Sequence, residues 1–438
     1  MKMTVLGMGY LGLTHAVAMA ELGHTVVGIE TDEQKLKILA KGKVPFYEPH
    51  LDDALEVALS SGRLSFNSSY DDFSSDADIH WICVGTPQVE GSLSANIGYV
   101  EAAVLNASKH LKNGATIVGK STVPVGTSVR LKAIIDSNVQ SGVTGRLAWN
   151  PEFLREGTAL HDSLKPDRIV VGSDDDVSRD LLREAYGSIL DEGVPFIITD
   201  LPTSELVKVS ANSFLAMKIS FINAMAEVSE KTGADVVKLA EAIGYDERIG
   251  RKFLRSGIGF GGGCLPKDIR GFMAKAEELE VKSLVGLLNN VDEINIARRH
   301  KAVDLALSSL GDSFMTKKVA ILGATFKPDS DDIRDSPALA VALELHNRGV
   351  HVVINDPKGL PNVNKKYPQL YTNVSINETL LDADLVMLLT EWDDYKNFNP
   401  LDASVLVKNA TIIDGRNVLD NRLWTTSGWS VIALGRSL

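Results

Sequence analysis

Two cysteines in 438 residues, Cys83 and Cys264, are too few to organise a fold through disulfides. That count fits a reducing compartment. Cationic excess is missing as well: 45 Lys and Arg stand against 57 Asp and Glu, a formal net charge of -12. Such a balance argues against a general nucleic-acid coat or an anionic membrane partner. It leaves room for a few cations in one cleft that serve an anionic small molecule. No apolar run is long enough to span a bilayer, because glycines and charges interrupt each one. The opening residues Met-Lys-Met-Thr-Val-Leu run straight into a strand-like segment, without the regions of a secretory signal. A cytoplasmic protein with no membrane and no nucleic-acid partner is expected.

What is present calls for two or three domains, since one core rarely grows to this length. The hydrophobic fraction of 44% supplies material for them. Residues 3–6, 7–12, 13–22 and 25–29 read as strand, glycine turn, helix and strand. Further strand-like runs at 79–84, 116–118, 169–171 and 196–198 complete a sheet-rich unit. After Pro202 the texture changes. Residues 204–231 hold no proline or glycine, and Leu206, Val209, Phe214 and Met217 recur at helical spacing. This predicts one helix of roughly 40 Å, suited to connecting domains or forming a dimer. More helices follow near 235–243, 268–280 and 285–308. A second α/β unit has strands at 318–322, 350–354, 385–389, 411–413 and 430–434, and a helix at 338–345. The expected architecture is α/β: two Rossmann-like domains, 1–202 and 311–438, joined by a helical middle domain, 203–310.

Gly7, Gly9 and Gly12 form a GxGxxG between a strand and a helix. The first permits a tight turn, the second lets backbone approach a pyrophosphate, and the third lets helix and strand pack closely. The helix N-terminus then offers its N–H groups to phosphates. Glu30 closes the second strand, where a carboxylate accepts bonds from a ribose and repels a 2′-phosphate. NAD is therefore favoured over NADP.

The segment Gly257-Ile258-Gly259-Phe260-Gly261-Gly262-Gly263-Cys264-Leu265-Pro266-Lys267-Asp268 is the most informative. Glycines give a ligand close backbone access. Cys264 precedes a proline at an early helix position, beside Lys267, where a thiol pKa can fall. Asp268 lies one turn further on and would share its face. The same pattern would suit a buried structural cysteine beside a flexible loop. No second cysteine or histidine cluster stands nearby, so no metal site is expected. Lys208 and Asn212, at i and i+4 on the long helix, could steady an oxyanion, or be a snorkelling lysine and a surface amide. Glu152 and Glu156 lie four apart in Asn150-Pro151-Glu152-Phe153-Leu154-Arg155-Glu156-Gly157. A short helix would turn both toward one site for proton transfer, whereas a surface turn would not.

Taken together, these residues resemble the UDP-glucose/GDP-mannose dehydrogenase family. The likeness covers nearly the whole chain. It takes in the glycine fingerprint, Val84-Gly85-Thr86-Pro87, Lys120-Ser121-Thr122-Val123-Pro124-Val125-Gly126 and residues 150–157. It continues through Lys208 with Asn212, Gly-Cys-Leu-Pro-Lys-Asp, Phe326-Lys327-Pro328-Asp329-Ser330-Asp331-Asp332-Ile333-Arg334 and Asp414-Gly415-Arg416-Asn417.

The resemblance implies four-electron oxidation of UDP-glucose at C6 to UDP-glucuronate with NAD, through a thiohemiacetal and a thioester on Cys264. It gives Lys208 and Asn212 the oxyanion, Asp268 the water, and Thr122 and Glu156 support of a proton relay. Glu152 has a less defined place in the same site. Cofactor contacts are implied for Gly7, Gly9, Tyr10, Leu11, Gly12, Glu30, Lys35, Thr86, Thr122, Glu156, Lys267 and Arg334. Substrate contacts are implied for Glu152, Phe153, Leu154, Arg155, Lys208, Asn212, Phe260, Gly261, Phe326 and Lys327. Arg248 matches an arginine that reaches a neighbouring subunit's substrate, which implies a homodimer. Ser330 stands where threonine is common, and Ser92 follows Gly91 where an aspartate-glycine pair is usual. GDP-mannose or a UDP-N-acetylhexosamine would use the same chemistry. A single-step hydroxyacid dehydrogenase and a non-enzymatic nucleotide-binding protein are the further alternatives. Cys264 and the third domain count against the first, and the full set of proposed catalytic groups against the second.

Overall fold

The computed structural model describes residues 1–436. The chain divides into two compact units. One holds Met1–Ala211 with Arg270–Leu279, and the other holds Asn212–Ile269 with the described residues from Glu280 on.

The first unit is built on strands β1 (Lys2–Leu6), β2 (Thr25–Ile29), β3 (Leu64–Asn67), β4 (Ile79–Ile82), β5 (Thr116–Gly119), β6 (Leu147–Trp149), β7 (Ile169–Gly172) and β8 (Phe196–Thr199). Their order is β3-β2-β1-β4-β5-β6-β7-β8. Neighbours are parallel except β6 and β7, which meet antiparallel at Trp149 and Gly172. The first six strands follow the doubly wound 3-2-1-4-5-6 order. β4 and β5 are buried along their whole length. Helices cover both faces, so the strands read as continuous apolar runs rather than alternating ones. Met3, Val5, Leu13 and Trp81 belong to the core on one face, and Leu6, Ile82, Val104 and Ile117 to that on the other.

The second unit repeats the pattern with β9 (Lys318–Leu322), β10 (His351–Asn355), β11 (Tyr371–Thr372), β12 (Leu385–Leu388), β13 (Thr411–Asp414) and β14 (Ser430–Ala433). The order β11-β10-β9-β12-β13-β14 is again 3-2-1-4-5-6, and every pair is parallel. In the first unit residues 7–9 alone separate β1 from its helix, Tyr10–Glu21. In the second, residues 323–336 intervene before the helix Pro337–Asn347. That excursion carries Lys327 and Arg334. The two sheets and the helical middle region match the expected fold class. Strands β3, β6 and β11 are additions that the short sequence runs did not announce.

The long helix runs Leu201–Thr232, 32 residues, or about 48 Å at the standard rise. It begins earlier than the sequence suggested, since Pro202 occupies its first turn, where no N–H is needed. It carries large apolar residues on its exposed side and polar ones among its buried positions. Val209 is buried, yet Leu206 is 40% and Phe214 58% exposed, with Phe221 and Val228 exposed too. Ser204, Glu205, Lys208, Asn212, Ser213, Ser220 and Asn223 are buried beside Leu201, Val209, Ala216, Ile222 and Ala226.

Candidate active site

The glycine turn of the first unit is shaped as its sequence demands. Gly7 has φ +90, a region that side chains avoid, and its N–H donates to Ile29 O at 2.8 Å. A Cβ on Gly12 would collide with Gly7 O. Gly9 caps the helix Tyr10–Glu21 without any side-chain bond, and a Cβ there would meet open space. The helix thus presents backbone N–H groups in a setting that fits a pyrophosphate. Glu30 is nearly buried. Its Oε2 accepts Met8 N at 3.1 Å and its Oε1 accepts Thr31 N at 2.8 Å and Asp32 N at 3.0 Å. Lys35 Nζ lies 3.4 Å from the same carboxylate. Glu30 therefore braces the turn as well as facing it.

Residues 150–157 form no helix, contrary to the arrangement imagined for Glu152 and Glu156; the helix begins only at Ala159. Tertiary acceptors take the amides instead. Glu48 Oε2 accepts Gly157 N at 2.7 Å, and its Oε1 accepts Ala159 N at 2.7 Å. Tyr10 OH donates to Glu48 and accepts Gly157 N at 3.1 Å. Burial first, then the Glu48 carboxylate and the nearby Glu156, hold the Tyr10 phenol well above its ordinary pKa. Glu152 turns the other way. Its carboxylate lies 3.1 Å from Lys208 Nζ, the two side chains being 10% and 6% exposed. Its Oε2 also accepts Leu154 N at 2.8 Å. Lys208 is thus a buried ion-pair partner, not a snorkelling surface lysine. Phe153 carries the Arg168 guanidinium 3.7 Å from its ring centroid, with Lys208 Nζ at 5.5 Å. Arg155 is held by Asp162, at 2.9 Å from Nε. Glu152, Phe153, Leu154 and Arg155 line one cavity with Arg168. Thr86 Oγ1 donates to Thr122 O at 2.9 Å, joining two of the implied cofactor positions.

In the second unit Cys264 is exposed and directly precedes the helix Leu265–Glu278. Asp268 N bonds to Cys264 O at 2.9 Å. The Asp268 side chain is buried. Asn212 Nδ2 donates to its Oδ2 at 2.6 Å, and Lys267 Nζ to its Oδ1 at 2.7 Å. Asp268 and Asn212 are thereby brought together, while Lys267 is turned to the aspartate. The glycine segment before Cys264 packs against the 323–336 excursion. A Cβ on Gly262 would meet the Phe326 ring, one on Gly261 the Asp335 carbonyl, and one on Gly263 the Arg334 guanidinium. Gly262 N donates to Arg334 O at 2.9 Å, and Arg334 Nε bonds Asp332 at 2.9 Å. Lys327 Nζ sits 5.5 Å over Phe326. Arg248 is exposed and paired with Asp246, 2.6 Å apart. Its loop is pinned by Lys218 Nζ on Ile249 O at 2.9 Å.

Several residues of these sites were given no role by sequence reading, though Lys120 and Arg416 stand in motifs of the family resemblance. Asn295 grips Phe260 from both sides, accepting its N–H at 2.7 Å and donating to its carbonyl at 3.0 Å. Buried Arg298 reaches Gly257 O at 3.3 Å, and Arg416 donates to Gly259 O at 2.9 Å. Glu48 and Lys120 serve the first unit in the same manner. For Glu48, Asn295 and Arg298 no sequence signal marks the role. No group of three or more His, Cys, Asp or Glu side chains suited to a metal ion occurs among the described residues. Nor does any described helix have the length and apolarity to cross a membrane.

A 3-2-1-4-5-6 parallel sheet, a glycine turn at a helix N-terminus and an acid closing the second strand define a dinucleotide-dependent oxidoreductase. Residues 1–190 match the NAD binding domain of the UDP-glucose/GDP-mannose dehydrogenase family, 202–297 its central domain and 320–421 its UDP binding domain. The chain belongs to that family. It is 40% identical to UDP-glucose 6-dehydrogenase of Rickettsia typhi over 440 residues, covering 100% of each chain. It is 37% identical to UDP-glucose 6-dehydrogenase TuaD of Bacillus subtilis, covering 99% of this chain and 93% of that one. Among solved structures, a UDP-glucose dehydrogenase from Pyrobaculum islandicum superposes with a TM-score of 0.91 at 34% identity, covering 100% and 98% of the two chains. The UDP-N-acetyl-mannosamine dehydrogenase Cap5O from Staphylococcus aureus gives 0.80 at 25%, covering 99% and 98%.

Proposed function

We propose that this chain oxidises UDP-glucose at C6 to UDP-glucuronate, with Cys264 as the nucleophile. The observation that carries the reading is the seat of Cys264, an exposed thiol at a helix start behind a glycine segment gripped on both sides. Oxidation of an alcohol to a carbonyl needs no nucleophile, whereas oxidation to an acid does. Full-length relatives named UDP-glucose 6-dehydrogenase support the substrate.

Gly7, Gly9, Gly12 and Glu30 would hold NAD, with Tyr10, Leu11, Lys35, Thr86, Thr122, Glu156, Lys267 and Arg334 as further contacts. Bound NAD supplies the hydride acceptor for both oxidations. The Cys264 sulfur adds to the C6 aldehyde carbon, and the carbonyl oxygen takes a proton, giving a thiohemiacetal. Loss of hydride and of that proton leaves a thioester. Water then adds to the acyl carbon, the C–S bond breaks, and the carboxylate and thiol are released. Lys208 and Asn212 stabilise negative charge on the reacting oxygen, and Asp268 orients the water. Thr122, Glu152 and Glu156 support proton movement. Phe153, Leu154, Arg155, Phe260, Gly261, Phe326 and Lys327 would contact the nucleotide sugar.

The division into domains 1–202, 203–310 and 311–438 is part of this reading, as is a cytoplasmic location. So is a homodimer to which Arg248 contributes across subunits. The exposed Leu206, Phe214, Phe221 and Val228 on the long helix support an apolar partner surface. The test is the NADH formed per UDP-glucose consumed, with NAD in excess. A ratio of two, with UDP-glucuronate as product, is expected. A ratio of one would mean release at the aldehyde and would overturn the role of Cys264. Turnover of GDP-mannose or an N-acetylated UDP-hexose alone would overturn the substrate.

A further inference from the structure

Lys120 directly follows strand β5 as a buried lysine, 8% exposed, with no part in the mechanism above. Its Nζ donates to Asn150 Oδ1 at 2.9 Å and to Tyr186 OH at 3.2 Å. Tyr186 OH donates to the same Asn150 oxygen at 2.6 Å, closing a triangle. Asn150 Nδ2 then bonds Val170 O at 2.7 Å, and Asn150 N bonds Gly119 O at 2.8 Å. The Trp81 ring lies under the ammonium, its centroid 5.4 Å away. One buried cation thus ties together the ends of β5 and β6. Thr122 follows Lys120 by two residues, and Glu152 follows Asn150 by two. Lys120, Asn150, Tyr186 and Glu152 also line the same cavity.

We propose that Lys120 is a positioning residue for the oxidation: its triangle with Asn150 and Tyr186 holds the Thr122 and Glu152 segments in register, and its charge sets the potential at the Glu152–Lys208 pair. The inference rests on the proposed roles of Glu152 and Lys208. Both the bonds and the charge are needed. A neutral lysine keeps two donors, enough for Asn150 Oδ1 and Tyr186 OH, so deprotonation takes away the charge while the triangle stays bonded. A lysine stripped of water holds its proton less tightly.

The ionisable groups facing Lys120 are few. Cys83 lies beyond the end of β4, His15 on the helix Tyr10–Glu21, Tyr186 after the helix Asp176–Ala185, Glu152 on the loop after β6 and Lys208 on the long helix. Burial first, and Lys208 as a like charge, bring the Lys120 pKa down to about 8, against the pull of the Glu152 carboxylate. Burial pushes Cys83 up to about 12 and His15 well down, so neither changes charge in the same range. The ammonium is present below about pH 8 and is lost above it.

The experiment compares kcat of the wild type and Lys120→Met from about pH 6.5 to about pH 9.5. At pH 7 the variant is expected to be about tenfold slower or more, with KM little changed. The ratio of wild type to variant should fall through about pH 8, as the wild type loses the same charge. A ratio constant across the range, whatever its size, marks a purely structural lysine and overturns the proposal. If Lys120→Met does not fold, Tyr186→Phe serves in its place. It removes one acceptor from the ammonium, so the alkaline fall of kcat should begin at lower pH. An unmoved fall overturns the proposal. Glu152→Gln in the same assay separates the two readings. Unchanged turnover there removes the role given to Glu152 and the Lys120 inference with it. Lost turnover there, beside a constant Lys120→Met ratio, defeats the Lys120 inference alone.

Discussion

The Lys208 ammonium lies 3.1 Å from the Glu152 carboxylate, and both side chains are almost wholly withdrawn from water. A pair of this kind costs its desolvation in the folded state and returns it only while both charges are present. Glu152→Gln keeps the shape and removes one charge. It is expected to cost about 3 kcal/mol of stability, read as a shift in the urea midpoint. Adding Lys208→Met should recover most of that stability while turnover stays lost. Recovery of turnover in the double variant would show that neither group serves the reaction.

Cys264→Ser tests the nucleophile. A serine hydroxyl in the same seat lacks the sulfur needed for the thioester route. UDP-glucuronate formation should fall about a thousandfold or more, with NAD binding retained. Product analysis after one turnover is the measurement, and undiminished acid formation would remove Cys264 from the mechanism.

Gly261 and Gly263 sit two residues apart and should respond differently to alanine. At Gly261 the new methyl meets a backbone carbonyl, that of Asp335, which cannot yield without moving the chain. At Gly263 it meets the Arg334 guanidinium, the far end of a flexible side chain. Gly261→Ala is expected to cost about 1–3 kcal/mol and Gly263→Ala less than about 1 kcal/mol, by thermal unfolding.

Acid should weaken the fold through its buried histidines. Burial brings His80 down to about 3 and holds His15 well below its ordinary range. In the unfolded chain each takes a proton near pH 6.5, and in the folded chain it does not. The unfolded state therefore binds more protons between about pH 6.5 and about pH 3, and stability falls as pH drops through that window. The slope is about 1.4 kcal/mol per pH unit for each histidine. His80→Asn should flatten it, as followed by urea midpoints at successive pH values.

The apolar face of the long helix bears on assembly. Phe214 is 58% and Phe221 49% exposed, seven residues apart and so on nearly the same side. Phe214→Glu with Phe221→Glu should shift a homodimer to monomer in sedimentation velocity. An unshifted dimer would place the contact elsewhere.

Some of this was legible in the residues themselves. The turn at Gly7, Gly9 and Gly12, the strands on either side, the long helix and the helix start at Cys264 are local matters. A tight turn without room for a side chain needs glycine, and a run of apolar residues bounded by breakers needs a sheet or a helix. The helical spacing of Leu206 and Phe214 predicted the helix, whereas their exposure came only with the fold, because spacing predicts a helix but not which face meets the core.

The sequence by itself determined the two α/β units, the phosphate-facing turn and the presence of a thiol at a helix N-terminus, since each follows from backbone geometry within a few residues. Only the tertiary structure decided that residues 150–157 stay out of a helix, with the Asn150 amide on Gly119 O, that of Arg155 on Asp162 and that of Gly157 on Glu48 and Tyr10. It alone set Glu152 against Lys208, Lys120 against Asn150 and Tyr186, and Asn295 against Phe260. A buried polar group must find its partner wherever the fold puts one, and sequence spacing carries no record of which one that is.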